Sequence, residues 1–145
     1  MKNWNEIKPA AGILKTSGPD NPAIAAITFD SRTVTKCSCY IARRGTHTDG
    51  HLYISSAVGK GASVVVCEEF PGEISAEVLF VQVTDADEAM GWMAAAWFGF
   101  PSAKFKVIGV TGTTGKTSIA TLLFRPFRKL GYPAGPISTI PPEIG

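Results

Sequence analysis

Apolar positions along the chain fall into short β-rich runs separated by stretches of helical period. Residues 24–29 (Ile-Ala-Ala-Ile-Thr-Phe) predict a strand that closes at Asp30-Ser31-Arg32. Cys39-Tyr40-Ile41-Ala42 predicts a second strand, closed by Arg43-Arg44-Gly45. Residues 62–67 and 78–83 are β-branched runs of the kind buried on both faces of a parallel sheet. Between these runs, Leu52, Ile54, Ala57 and Val58 share one face of a short helix over residues 51–60, with Gly59 and Gly61 at its end. The clearest helix spans residues 85–100. Thr84 stands where a cap belongs, Asp85, Asp87 and Glu88 suit the positive end of the helix, and Pro101 follows it. Its stripe of Ala89, Met90, Met93, Ala94, Trp97 and Phe98 has the spacing of a core-facing side. Residues 3–8 predict a short helix, and residues 9–22 an irregular, turn-rich stretch. Strands and helices alternating at this interval predict an α/β domain with a largely parallel sheet.

The pattern restarts after Pro101. Residues 105–110 predict a strand, followed by a glycine–threonine loop and a helix over residues 117–130. So short a stretch cannot enclose a core of its own. The chain therefore reads as one complete domain, residues 1–102, and the first strand–loop–helix of a second, truncated domain over residues 103–145. Pro126 lies inside the last helix, where a missing N–H and a ring clash cost about 3 kcal/mol. A kink or break near residues 122–125 is expected.

Composition narrows the function classes. Of 145 residues, 45% are hydrophobic and 18% charged, which favours a packed core over disorder. The net charge is only +2 and forms no basic stripe, so no nucleic-acid partner is expected. No apolar run approaches the roughly 20 residues that cross a bilayer, and Asn, Glu and Lys interrupt the N-terminus where a signal peptide would be apolar. A cytoplasmic protein without membrane insertion is expected. The three cysteines, Cys37, Cys39 and Cys67, are an odd set without a CxxC pair, which argues against a disulfide framework. Alternation would put the sulfurs of Cys37 and Cys39 on one face. His47 and His51 have the spacing of a zinc finger's histidines, but the cysteine pair is missing, so no metal is expected there.

The strongest chemical signal is the segment 109–118, Gly-Val-Thr-Gly-Thr-Thr-Gly-Lys-Thr-Ser, set between a predicted strand and a predicted helix. That is the context of a phosphate-binding loop. Glycines let the backbone turn its N–H groups toward phosphate oxygens, and the helix start adds further donors. Lys116 would reach the β- and γ-phosphates as a point charge, and the Thr117 hydroxyl would ligate Mg²⁺. In the common G-x-x-x-x-G-K-[ST] spacing the first glycine would fall on Val110; Gly112 supplies the nearer glycine here. On residues alone this is a nucleoside triphosphate site whose subsequent chemistry stays open.

The string Thr111-Gly112-Thr113-Thr114-Gly115-Lys116-Thr117 resembles the ATP loop T-G-T-N-G-K-T of Mur ligases and folylpolyglutamate synthases, with Thr114 in the place of Asn. Asp30-Ser31-Arg32-x-Val34 resembles the D-S-R-x-V element of Mur ligases. Gly45-x-x-x-Asp49-Gly50-His51 is similar to their G-x-x-x-D-G-H element, which the synthases lack. The resemblance implies a Mur-ligase-type N-terminal α/β domain that binds the UDP end of a UDP-N-acetylmuramoyl dipeptide, followed by the start of a central ATPase domain. It implies ATP contacts at Gly112, Thr113, Thr114, Gly115, Lys116, Thr117 and Ser118, with Lys116 catalytic and Thr117 on Mg²⁺. It implies UDP-sugar contacts at Phe29, Ser31, Thr46, His47 and Thr48. Without it, Ser31 and Arg32 read as a strand-end turn with a solvated charge, and residues 46–48 as a surface loop. The reaction implied runs through an acyl phosphate to an amide. The residues after the loop most resemble the branch adding meso-diaminopimelate or L-lysine as third peptide residue; the branch adding D-alanyl-D-alanine is the runner-up. A nucleotide-binding module without catalysis is the alternative from another class. Two positions depart from the family's pattern: Lys36-Cys37-Ser38 replaces a Pro-Gly-Asp stretch, and Arg43-Arg44 an apolar pair.

Overall fold

The computed structural model describes residues 1–45 and 48–138. The chain divides into two compact units, Met1–Phe105 and Lys106–Gly145.

The first unit runs β1 (Lys2–Asn3), α1 (Trp4–Ile7), β2 (Ile13–Ser17), β3 (Ala23–Ile24), β4 (Ala26–Thr28), β5 (Ser38–Ala42), α2 (Ile54–Gly59), β6 (Ala62–Cys67), β7 (Leu79–Val83) and α3 (Ala86–Trp97). Five strands form one sheet in the order β2-β7-β6-β5-β4. Pairing from β4 through β7 is parallel, and β2 joins antiparallel at the edge. The α/β class with a largely parallel sheet is as expected. Strand alternation explains why both faces are dry. Cys39, Ile41, Val64, Val66, Leu79 and Val81 pack with Trp4, Ile7, Ala89 and Met93 from α1 and α3. Tyr40, Ala42, Val65, Cys67 and Phe80 point to the opposite face, against Ile54 and Ala57 of α2.

Several sequence expectations are corrected. Within residues 9–22, expected to be irregular, β2 pairs with β7 from Ile13↔Val83 to Ser17↔Phe80. Its outward face is exposed, with Leu14 61% accessible, so ladder bonds hold it and no hydrophobic period announces it. The expected strand over 24–29 is two strands. Ile24 pairs with Lys2 in a separate two-stranded sheet, and Ala25 donates its N–H to the Cys37 carbonyl at 2.8 Å before β4 begins. Asp85, not Thr84, caps α3: its Oδ1 accepts the Glu88 N–H at 2.9 Å, while the Thr84 N–H is tied to the Gly12 carbonyl at 2.9 Å, which extends the β2–β7 pairing by one residue past β7. The helix expected from residue 51 opens as a 3₁₀ turn, Gly50–Tyr53, because the Asp49 carboxylate accepts the His51 N–H. That tighter turn leaves Leu52 78% exposed instead of on the buried face. Phe98, expected in the α3 stripe, is the helix C-cap and is exposed. Cys37 precedes β5 with φ of 62°, so strand alternation does not reach it. Burial pushes the Cys39 thiol up, and the Cys67 thiol to about 12, as suits inert core thiols.

In the second unit α4 (Lys116–Lys129) begins directly after the loop. It runs unbroken through Pro126, contrary to the expected break, and the Pro126 carbonyl still accepts from Leu130 at 2.9 Å. Residues 105–110 form no strand. A parallel strand takes its hydrogen bonds from neighbours, and among the described residues the second unit has no strand to pair with. None of α4 is buried, and Leu122 and Leu130 are largely exposed.

Candidate functional site

In the first unit, the parallel strands deliver their C-terminal ends to one edge of the sheet, where open α/β sheets place ligands. β4 is followed by Phe29 and the Asp30–Arg32 turn, β5 by Arg43 and Arg44, and β6 by Glu68 and Glu69; β7 leads to the first turn of α3.

The Asp30–Arg32 turn is closed by its own side chains. Arg32 Nε lies 2.9 and 3.1 Å from the two Asp30 oxygens, and Nη2 donates to Oδ2 at 2.8 Å. This charged fork, with the Arg32 backbone N–H, holds the Asp30 carboxyl down at about 2. Thr28 Oγ1 and Thr33 Oγ1 lie 2.7 Å apart beneath it, and Lys60 Nζ donates to the Ser31 carbonyl at 2.7 Å. Arg32 is therefore a structural partner of Asp30 as well as a surface charge.

The segment after β5 is pinned at both ends. Arg44 pairs with Glu69 and, at 3.5 Å, with Glu68, and forms an isolated antiparallel bridge with Asp49. Gly45 donates to the Thr48 carbonyl at 3.0 Å. Gly50 approaches the end of β5 so closely that a Cβ would stand 2.8 Å from the Arg43 carbonyl oxygen and 2.9 Å from its nitrogen. Tyr40, in the core, donates its hydroxyl to the Gly50 carbonyl at 2.9 Å. Burial, first of its causes, raises the Tyr40 phenol. His51 Nδ1 lies 2.6 Å from Asp49 Oδ1, and its Nε2 accepts the Glu68 N–H at 3.0 Å. An accepting Nε2 assigns the proton to Nδ1, which then donates to Asp49. The backbone N–H of His51, then its ring, hold the Asp49 carboxyl below the usual range.

Arg43 faces Phe29, its guanidinium 5.8 Å from the ring centroid. Its Nε sits 2.8 Å from Asp87 Oδ1, yet is buried with no aligned hydrogen-bond acceptor. The two observations agree if the N–H points off the carboxylate: the contact is an ion pair without a hydrogen bond.

Of the residues the sequence singled out, Phe29, Ser31 and Thr48 lie at this edge; Thr46 and His47 fall outside the described residues. Sequence reasoning missed Glu68. Its N–H, its carbonyl (accepting from Gln82 Nε2 at 3.0 Å) and its carboxylate (accepting from the Ala86 N–H at 3.1 Å) are all engaged. The available signal was an acidic pair directly after a buried strand.

In the second unit, Gly112 and Gly115 have φ of 148° and 77°, conformations that favour glycine, and Gly109 does not. Gly115 stands at the N-terminus of α4, with Lys116 as its first residue and Gly115 O accepting from Ile119 at 2.9 Å. Lys116 Nζ folds back over the loop, 2.6 Å from the Gly112 carbonyl oxygen. Thr113, Thr114 and Ser118 are exposed, and Thr117 is half-buried. Among the described residues no group of three or more His, Cys, Asp or Glu could hold a metal, and no helix is long and apolar enough to cross a membrane.

Comparison with known proteins places these features. Residues 23–98, just over half of the chain, match the family described as "Mur ligase family, catalytic domain". The UDP-N-acetylmuramoyl-L-alanyl-D-glutamate–2,6-diaminopimelate ligase of Parabacteroides distasonis is 46% identical over 93% of this chain and 28% of its own length. The Cytophaga hutchinsonii protein of the same name is 48% identical over 88% of this chain and 26% of its own. A solved structure from Acinetobacter baumannii, UDP-N-acetylmuramoylalanyl-D-glutamyl-2,6-diaminopimelate–D-alanyl-D-alanyl ligase, is 30% identical with a TM-score of 0.53, covering 74% of this chain and 23% of that one. The chain thus spans about a quarter of the length of the proteins it matches. By its family match and its α/β sheet, the chain belongs to the Mur ligase family.

Proposed function

We propose that this chain is the front part of an ATP-dependent amide ligase that adds 2,6-diaminopimelate to UDP-N-acetylmuramoyl-L-alanyl-D-glutamate. The observation that carries this reading is the 46–48% identity, over about nine-tenths of the chain, to ligases named for that reaction. The runner-up is the ligase that adds D-alanyl-D-alanine, which the Acinetobacter baumannii structure favours at the lower identity of 30%.

In this reading residues 1–102 hold the UDP end of the acceptor through Phe29, Ser31 and the 46–48 loop, and residues 103–145 begin the ATP-binding domain. The loop's positive-φ glycines and the α4 N-terminus suit phosphate oxygens. Lys116 would exchange its bonds to loop carbonyls for the β- and γ-phosphates. The Thr117 hydroxyl has no hydrogen-bond partner among the described residues, which fits a ligand to Mg²⁺. When bound, Mg²⁺ would neutralise charge on the phosphates during acyl phosphate formation; this chain's contribution is to position and neutralise. Cytoplasmic location accords with acceptor and ATP as substrates.

The test is a chimera in which this chain replaces the matching front quarter of the Cytophaga hutchinsonii relative. Given ATP, Mg²⁺, the acceptor and 2,6-diaminopimelate, the chimera should form amide product by mass, and its Lys116→Ala variant should not. A folded chimera that is inactive, or equally active without Lys116, refutes the reading. Lacking the other three-quarters, these 145 residues alone should release ADP only at background.

A further inference from the structure

We propose that Arg43 is the donor to the diphosphate of the acceptor, and that Asp87 is its positioning residue. This rests on the reading of the first unit as the holder of a nucleoside diphosphate. Arg43 directly follows β5 at the ligand-bearing edge of the sheet, beside Phe29, which is 56% exposed. Two contacts fix its guanidinium. The Phe29 ring centroid lies 5.8 Å from it, and Asp87 at 2.8 Å from Nε balances its charge. Neither takes a hydrogen bond from it. Nε is the one buried side-chain donor without an aligned acceptor among the described residues, and neither Nη has a protein partner there. Nε is closed off from solvent while the side chain as a whole is partly exposed, so the Nη end is what a ligand would meet, and two guanidinium N–H groups match two oxygens of a phosphate.

The neighbouring cations are placed otherwise. Arg32 is spent on Asp30 through three contacts, Arg44 on Glu68 and Glu69, and Lys60 on the Ser31 carbonyl. Arg43 alone in this group is held in position with its donors unspent. Phe29 offers an apolar ring next to the same fork, so a flat base and the phosphates that follow it would be met side by side. Asp87, in the first turn of α3, supplies the guanidinium's counter-charge.

The experiment titrates the whole 145-residue chain with UDP-N-acetylmuramic acid, following the two ³¹P resonances and saturation transfer to the uracil protons. With the unmodified chain both should respond. In Arg43→Gln the dissociation constant should rise roughly tenfold or more and the ³¹P shift at saturation should shrink, while uracil transfer persists. Arg43→Lys, which keeps the charge without the fork, should recover only part of the ³¹P shift. Asp87→Asn should weaken binding with Arg43 intact, and it serves as the second variant if Arg43→Gln does not fold by tryptophan fluorescence. A ³¹P shift unchanged in Arg43→Gln, or in Asp87→Asn if only that variant folds, overturns the proposal. So does uracil transfer without any ³¹P shift in the unmodified chain. If the unmodified chain gives neither response, the reading of this unit as a UDP holder fails first, and the proposal with it.

Discussion

Replacing Gly50 with alanine should cost far more than replacing Gly59, although the two stand nine residues apart. At Gly50 a new Cβ meets backbone: the Arg43 oxygen at 2.8 Å, its nitrogen at 2.9 Å and the Ala42 Cα at 3.2 Å. None of these is a flexible side-chain end, so the 3₁₀ turn must move off the end of β5. Overpacking of this kind costs about 1–3 kcal/mol. Moving the turn also strains the Gly50 N–H bond to Arg43 (2.8 Å) and the Tyr40 hydroxyl bond to the Gly50 carbonyl (2.9 Å). Losing one of them adds about 1 kcal/mol. The expected loss is about 2–4 kcal/mol. For a domain near 100 residues that lowers Tm by roughly 10–25 °C. At Gly59, on an exposed helix end, a Cβ meets nothing within 4 Å, so Gly59→Ala should stabilise by up to about 1 kcal/mol. Tryptophan fluorescence in guanidinium is a clean probe, because Trp4, Trp92 and Trp97, the chain's three tryptophans, all lie in the first unit. Gly50→Ala should move the midpoint down with little change in slope. A midpoint equivalent to less than about 0.5 kcal/mol from the parent would refute the close-approach account.

The Asp30 carboxyl should titrate by NMR near 2, because the Arg32 fork favours its ionised form. Its folded value lies below the unfolded one, so its stabilisation is fully present above about 4 and is lost as pH falls toward 2. Arg32→Gln should raise that midpoint, and an unmoved midpoint would discount the fork. In the second unit, Pro126→Ala restores a helical N–H to α4, which has no buried face within the chain to hold it. The 222 nm ellipticity should deepen, and an unchanged spectrum would mean that the proline costs the helix nothing.

What the sequence disclosed follows from what carries each element. Buried β-branched runs and the period of α3 are visible because burial makes them apolar, and β5, β6, β7 and α3 lie close to where the pattern puts them. The edge strand β2 is held by backbone ladder bonds and shows almost no apolar signal. The split at Ala25 depends on a bond to Cys37, twelve residues away, which no local window contains. The exposure of Leu52 comes from the Asp49 cap turning the helix start into a 3₁₀ turn. At the candidate site, the glycine–threonine loop was readable as a candidate because its glycines and Lys116 lie within one short segment. The sheet edge was readable only as separate motifs. That Arg43 meets Phe29 and Asp87, residues from two other elements, is a product of the parallel topology.

Glu68 shows how that edge is kept in order. Its N–H holds His51, its carbonyl takes Gln82, and its carboxylate joins the first turn of α3 to Arg44. The segment after β5 therefore leaves and returns through the same residue: Arg44 at one stem, His51 at the other. Asp49 links the two stems, bridging to Arg44 along the backbone and to His51 through its carboxylate. The G-x-x-x-D-G-H spacing then has a physical meaning. Glycine at 50 lets the return stem lie against β5, and Asp49 and His51 tie that stem to the end of β6.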